Sequence, residues 1–290
     1  MSYGSIAKHA STRAPRIVIV TSSLVAPGPS EITICGEIFG PYGAHTPGAT
    51  SVVGSEDIDR IFINNLNGYG AMVYASLHAG GGNDVVYLNG SVNSITNSAV
   101  HLGDGDDQME AWGRLQDSTI MSGEGNDSLW VFEHERTDWN YHYSLDNTDF
   151  LLGEGNDTLN IWGGHCGIML NSSIVLEDYS GNAGDKRISI YEEMAWGGSE
   201  VPDDWANVRN SEINLGNGND LIEITSSQTN LVTATVVADS YILTGAGNDT
   251  FTIGYDEYTT AKANALDNTF VDMGAGNDMV SIASHVVNSD

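Results

Sequence analysis

The sequence predicts an all-β fold, a parallel β-solenoid (β-helix) of about eight to nine coils with an N-terminal β cap. One observation is a Gly-rich loop ending in Asp, which recurs along most of the chain. Another is the alternation of apolar and polar residues after each loop, typical of a strand with one buried face. The third is the step between loops, about one coil of strands and turns; a single coil cannot bury its apolar face, but stacked coils can.

The composition restricts the partners that the chain can have. Its 290 residues include 39 acidic and 10 basic side chains, for a net charge of −29, and 40% of the residues are apolar. An anionic phosphate surface would repel such a chain, so we expect neither nucleic acid nor anionic membranes as partners, and we expect cations instead. No apolar run approaches the ~18 residues that a membrane span needs, so no membrane insertion is expected.

Three segments follow from the distribution of residues. We expect residues 1–15 to be a flexible basic tail, 16–50 an N-terminal cap, and 51–290 the calcium-binding solenoid. Five of the six prolines lie in the first ~60 residues, and the β-branched stretches 16–20 and 31–39 are predicted strands within the cap.

The loop repeat sets the frame of the solenoid. Apolar residues lie seven positions before the loop Asp and two and four positions after it, so a strand enters and leaves each loop. Degenerate copies place Asp59 and Lys186 at the same position, and the complete series then advances by 20 to 34 residues. The seven full copies end in Asp84, Asp107, Asp127, Asp157, Asp220, Asp249 and Asp278.

A second recurring pair predicts the corners of the coils. Asn or Asp followed by Ser or Thr stands ten and nine residues before most loop aspartates, and these side chains suit corners because they hydrogen-bond local backbone. The pairs are Asn97-Ser98, Asp117-Ser118, Asn147-Thr148, Asn210-Ser211, Asp239-Ser240 and Asn268-Thr269.

The loops are candidate metal sites. Ca²⁺ takes six to eight oxygen ligands, more than one loop offers, but two loops stacked ~4.8 Å apart can combine carboxylates with backbone carbonyls. The alternative is an Asn/Asp turn ladder without metal. Besides the aspartates, the candidate residues are Gly82, Gly105, Gly125, Gly155, Gly218, Gly247 and Gly276, with Asn83, Asn126, Asn156, Asn219, Asn248 and Asn277.

The loop motif G-x-G-N-D followed by an apolar residue resembles the RTX, or hemolysin-type, calcium-binding repeat. RTX blocks repeat every nine residues, whereas this loop occurs once per coil, so we expect a larger solenoid with one calcium edge. The resemblance implies export by a type I system and a location outside the cell or on its surface. Extracellular calcium modules bind at ~0.1–1 mM, which suits that location.

The spacing of intact loops predicts about five calcium ions in two groups. The gaps are Asp84/Asp107, Asp107/Asp127, Asp127/Asp157, Asp220/Asp249 and Asp249/Asp278, with a sixth candidate at Asp59/Asp84. We expect the ammonium of Lys186 to replace calcium between Asp157 and Asp220.

Two functions remain open. The first is an extracellular calcium-binding structural or adhesive solenoid, assembling head to tail into fibres through residues 16–20. The second is a β-helix polysaccharide-active enzyme, lyase or depolymerase-like. Two observations argue against it: the basic residues are scattered, and no catalytic motif is present. His134, for example, begins an HExxH motif that lacks its second His. Trp112, Trp130 and Trp162 are candidates for a stripe that stacks on carbohydrate, although surface packing is the simpler role.

Overall fold

A computed structural model of the chain describes residues 24–25, 28, 31–35, 38–39, 51–65, 70–133, 143–163, 167–176, 184–192, 206–226, 235–255 and 264–290. In these residues the regular structure is β-strand, which confirms the all-β prediction. None of the described residues form a helix with the length and apolarity of a membrane span.

The strands stack in three columns, and one strand of each column makes up a coil. The first column is a ten-stranded sheet that enters the loops: β1 (Leu24–Val25), β4 (Ser51–Val53), β7 (Ser76–Gly81), β9 (Ala99–Asp104), β11 (Thr119–Glu124), β14 (Asp149–Leu152), β17 (Ser173–Leu176), β20 (Glu212–Asn214), β23 (Tyr241–Leu243) and β26 (Phe270–Asp272).

The second column leaves the loops. It contains β2 (Glu31–Cys35), β5 (Arg60–Asn65), β8 (Val85–Thr96), β10 (Gln108–Gln116), β12 (Ser128–Phe132), β15 (Thr158–Gly163), β18 (Arg187–Glu192), β21 (Leu221–Ser226), β24 (Thr250–Tyr255) and β27 (Met279–Ile282).

The third column is short and precedes the corner. It contains β3 (Ile38–Phe39), β6 (Met72–Val73), β13 (Leu145–Asp146), β16 (Met169–Leu170), β19 (Ala206–Arg209), β22 (Thr235–Ala238), β25 (Asn264–Asp267) and β28 (His285–Val287), and β8 and β10 are long enough to continue into it.

Strands of adjacent coils pair in parallel with their equivalents, from β1 with β4 to β25 with β28, which confirms the parallel solenoid. In the second column, for example, Met109 pairs with Leu129 and Ala111 with Val131. These inward positions are almost fully buried, and apolar side chains from all three columns form one continuous core. Burying one such aliphatic side chain contributes about 1.5–3 kcal/mol, so the stacked core is the main stabilising term.

The corners are built as the sequence predicts. The Asn or Asp of each pair has positive φ, 47° at Asn97 and 50° at Asp117, a conformation that Asn and Asp adopt more readily than most residues. The following hydroxyl stacks on the next coil: Ser98 N–H donates to Ser118 Oγ at 3.2 Å, and Ser118 Oγ donates to the Gln116 carbonyl at 2.6 Å. The same corner occurs at Asn171-Ser172 and Asn288-Ser289, which the sequence did not predict because neither pair stands ten residues before a loop aspartate.

The two ends of the described chain differ from its middle. Strands β1, β2 and β3 pair with β4, β5 and β6, so they form a first coil below the nine coils that carry a loop position. Residues 1–23, which include the predicted tail and the 16–20 strand, lie outside the described residues. In the last coil Val280 is 48% exposed, whereas its equivalent Phe251 is fully buried. The expectation of head-to-tail fibres therefore stays a prediction.

Candidate cation-binding row

The loop aspartates stack in one row at the edge between the first and second columns. Six of them are at most 2% exposed, and Asp278, in the last coil, is exposed. One carboxylate oxygen of each is fixed by the coil before it: the N–H of Asp84 donates to Asp107 Oδ1 at 2.7 Å, and the N–H of Asp107 donates to Asp127 Oδ1 at 2.9 Å. The same bond joins Asp59 to Asp84, Asp127 to Asp157, Lys186 to Asp220, Asp220 to Asp249 and Asp249 to Asp278.

The glycines allow the loops to stack closely. Gly125 has a φ of +131°, and a Cβ on it would lie 2.0 Å from the carbonyl oxygen of Gly105 in the coil before. Any side chain here would collide with backbone and strain φ. The other predicted loop glycines, Gly82, Gly105, Gly155, Gly218, Gly247 and Gly276, also have positive φ and a Cβ position blocked by the preceding coil.

The loop asparagines form a separate, exposed ladder. The side chain of Asn126 accepts hydrogen bonds from the N–H and the Nδ2 of Asn156, at 3.0 and 3.1 Å. Asn219, Asn248 and Asn277 repeat this pattern, and Asp106 and Asp185 occupy the same ladder in their coils. The amide oxygens are thus engaged in stabilising the stack, one residue away from the buried aspartates.

The second carboxylate oxygen of the loop aspartate, Oδ2, has different surroundings at different junctions, where a junction is the contact between the loops of two adjacent coils. Within the described residues, no hydrogen bond reaches the buried Oδ2 atoms of Asp84, Asp107, Asp127, Asp220 and Asp249. Asp59 differs, because the N–H and hydroxyl of Ser55 donate to its Oδ2 at 2.5 and 3.0 Å. The Ser55 bonds occupy the Asp59 oxygen that the sixth candidate calcium site would need.

Asp157 is paired with a cation from the chain itself. Lys186 Nζ lies 2.9 Å from Asp157 Oδ2 and donates to the carbonyls of Gly153 and Gly155 at 2.8 and 2.6 Å. Lys186 is 1% exposed. A positive charge is therefore seated on two glycine carbonyls and one carboxylate at the one position of the row where Lys replaces Asp, as the sequence predicted.

Burial makes it costly for the aspartates of the row to stay negatively charged without a counter-ion. Desolvation raises the pKa of Asp84 and Asp127 to about 6 and of Asp107 and Asp220 to about 7, and neighbouring aspartates add to the rise. Backbone hydrogen bonds lower all four pKa values, as do a hydrogen bond with the Ser122 side chain at Asp127 and the charge of Lys186 at Asp220. The pKa of Asp157 is also raised by burial, while Lys186 lowers it. A buried carboxylate with a raised pKa is stabilised either by a proton or by a cation.

The donor set fits a hard cation. No group of three or more His, Cys, Asp and Glu side chains among the described residues could hold a metal ion. A junction here brings together two carboxylates, so further ligands have to be backbone carbonyls, which are oxygen donors that Ca²⁺ accepts. The unpartnered Oδ2 atoms and the ammonium beside Asp157 Oδ2 both indicate that the row accommodates positive charge.

The predicted aromatic stripe exists on the outer face of the second column. Phe132 stacks on Trp112 and Trp130, with ring centroids 4.6 and 5.5 Å apart, and Trp162 meets Tyr191 edge to face at 5.2 Å. Trp130 and Trp162 are 37% and 42% exposed. The rings therefore pack against one another, and carbohydrate binding stays a prediction.

The basic side chains that the structure describes do not gather in one place. Lys186 is buried in the row, Arg114 pairs with Asp146, and Arg209 lies 3.7 Å from Asp239. Arg60 and Arg187 begin strands of different coils. Arg136, Lys262 and the incomplete motif at His134 fall outside the described residues. No observation here favours the polysaccharide-active enzyme.

Searches of protein-family models, curated proteins and solved structures found no match to this chain.

Proposed function

We propose that this protein is a calcium-binding structural or adhesive β-solenoid that works outside the cell or on its surface. The observation that carries the proposal is the difference between the junctions. Ser55 donates hydrogen bonds to the second oxygen of Asp59, and Lys186 forms an ion pair with that of Asp157. At five other loop aspartates this oxygen is buried with no hydrogen bond. Calcium supplies the positive charge that these five oxygens lack.

The residues that would hold calcium are the loop aspartates and the glycine carbonyls of adjacent coils. The carbonyls that Lys186 contacts belong to Gly153 and Gly155, and the equivalent positions of the preceding coil are Gly123 and Gly125. The five aspartates with an unpartnered Oδ2 begin the five gaps expected to bind calcium, three before Lys186 and two after it. Five divalent ions would offset ten of the 29 excess negative charges.

The extracellular location rests on affinity and charge. Sites built from two carboxylates and backbone carbonyls fall in the class of calcium modules that bind at ~0.1–1 mM, which extracellular fluid fills and the cytosol does not. Calcium then stabilises the fold after export, because it binds the folded loops and not the unfolded chain. The structural role follows from the continuous core and the uniform ladder.

Thermal melting followed by circular dichroism tests the proposal, in 10 mM calcium, in calcium-free buffer and in 10 mM magnesium. With five sites of ~1 mM affinity, calcium adds about 1.4 kcal/mol per site, or about 7 kcal/mol in total. We expect a large rise in melting temperature with calcium and little with magnesium, which is smaller and requires octahedral coordination. Identical curves in all three buffers would remove the calcium proposal.

A further inference from the structure

Lys186 joins two coils by contacts that need no added ion. Its Nζ reaches Gly153, Gly155 and Asp157 in the coil before, and its N–H donates to Asp220 Oδ1 in the coil after, at 2.7 Å. Its carbonyl accepts from the Leu221 N–H at 2.8 Å. Lys186 is thus bonded to the loops of both neighbouring coils.

The strands at this point are as well paired as elsewhere in the solenoid. β15 and β18 pair over six residues, and β18 and β21 over five. Ile188 and Ile190 of β18 are buried between the apolar side chains of the neighbouring coils. The central coils therefore combine a complete core and a complete strand ladder with a cation that cannot dissociate.

The flanking coils lack that built-in charge. On one side Asp84, Asp107 and Asp127 stack with unpartnered Oδ2 atoms, and on the other side Asp220 and Asp249 do. Without a cation, adjacent buried carboxylates repel one another across each junction. Lys186 also interrupts the row of acids, so the two flanks do not share an ion.

We propose that Lys186 is a tethered cation that keeps the central coils folded when calcium is withdrawn, so that the solenoid has a calcium-independent centre and two calcium-dependent flanks. This inference rests on the proposed function, because it assigns the flanks to calcium. Loss of calcium loosens the coils around Asp107 and Asp249, while β15 and β18 stay paired. On return of calcium, the flanks refold against a preformed template.

Hydrogen exchange measured by mass spectrometry on the full chain tests this, in calcium and in calcium-free buffer. We expect peptides covering β15 and β18 to exchange at least tenfold more slowly than peptides covering β10 or β24 when calcium is absent. In calcium, all four regions are protected. The control is Arg187→Met, which removes a neighbouring positive charge that is not in the row.

Two variants test the role of the ammonium. Lys186→Met removes the charge and the hydrogen bonds, so the slow exchange of β15 and β18 in calcium-free buffer is lost. Lys186→Asp restores the loop consensus, so the central coils are expected to become calcium-dependent and to bind additional calcium; this variant serves if Lys186→Met does not fold.

The outcomes separate the two proposals. Equal exchange of centre and flanks in calcium-free buffer, with strong protection in calcium, would overturn the role of Lys186 and leave the calcium proposal standing. No effect of calcium on any coil would overturn both. Slow central exchange that survives in Lys186→Met would also refute the tethered cation, because the core alone would then explain it.

Discussion

Two junctions of the same row show how one fold satisfies the same need in different ways. Between Asp107 and Asp127 the coils contribute acids and backbone, and the Oδ2 atoms of both residues have no hydrogen bond. Between Asp157 and Lys186 the backbone frame is alike, but the second coil contributes an ammonium that reaches the carboxylate and two carbonyls. The strand pairing is in register at both.

Because the strands pair in register at both junctions, stacking of the backbone does not depend on which group neutralises the aspartates. At Asp59, the hydroxyl and N–H of Ser55 take the place of a cation altogether. The residue at one loop position, or a hydroxyl four residues before it, therefore decides whether the second carboxylate oxygen has a partner within the chain, while the strands on either side stay paired.

In calcium-free buffer, the largest effect is expected from pH. Burial raises the pKa of Asp84 and Asp127 to about 6 and of Asp107 and Asp220 to about 7, from 3.8. The folded state then binds protons that the unfolded chain releases, so their contribution is complete below pH 3.8 and is lost as pH rises through 6 to 7. We expect the free energy of unfolding to fall by on the order of 5 kcal/mol from pH 5 to pH 8.

Melting of metal-stripped protein at pH 5, 6, 7 and 8 measures this dependence without a chelator. In saturating calcium the trend should weaken or reverse, because calcium requires the deprotonated carboxylates. Stability that increases with pH in the absence of calcium would show that the aspartates are not held in the environment described.

The next largest effect is expected from disturbing the stacked backbone of the loops. Gly125→Ala places a Cβ 2.0 Å from the Gly105 carbonyl oxygen, at a φ of +131°. We expect a loss of about 3 kcal/mol in the free energy of unfolding, from steric overlap and backbone strain together. The loss should be similar with and without calcium, because the collision is with backbone. Denaturant unfolding in both buffers provides the comparison.

Gly254→Ala is the matched control, since the nearest atom to its Cβ would be Thr225 Oγ1 at 3.9 Å and its φ is not positive. It should change stability by less than about 1 kcal/mol. If Gly125→Ala changed the free energy of unfolding as little as Gly254→Ala does, the loops could not be stacked as closely as described.

The smallest effect has the most informative sign. Asp107→Asn keeps a side-chain oxygen for the Asp84 N–H and removes one negative charge from the middle of three aspartates. We expect about 1 kcal/mol of destabilisation in calcium, where a ligand is lost, and stabilisation of similar size at pH 8 without calcium, where repulsion is relieved. Asp106→Asn, in the exposed ladder, is the control and should show no such reversal.

Much of the fold was predictable because the repeat leaves a strong pattern. The apolar residues two and four positions after the loop aspartates are the buried positions of the second column, as at Leu129 and Val131. The corner pairs were predictable because Asn and Asp suit positive φ. The third column was missed, although an apolar residue stands two positions before each corner, as at Leu115 and Leu145.

The sequence predicted which residues form the row, but not which group contacts each aspartate. The interrupted repeat predicted an ammonium between Asp157 and Asp220, and in the structure Lys186 pairs with Asp157. The engagement of Asp59 by Ser55 was not predicted, because the repeat pattern does not show which hydroxyl reaches a carboxylate four residues away. Nor does the motif separate buried Asp from exposed Asn, since that depends on which way each side chain points from the stacked turn.

Diffraction from crystals grown in calcium, with anomalous differences used to locate the ions, tests the central claim most directly. We expect five ions, three between Asp84 and Asp157 and two between Asp220 and Asp278. We expect none beside Lys186 and none at Asp59 Oδ2, which accepts from Ser55. A row without ions at these five gaps, or an ion seated beside Lys186, would contradict this claim.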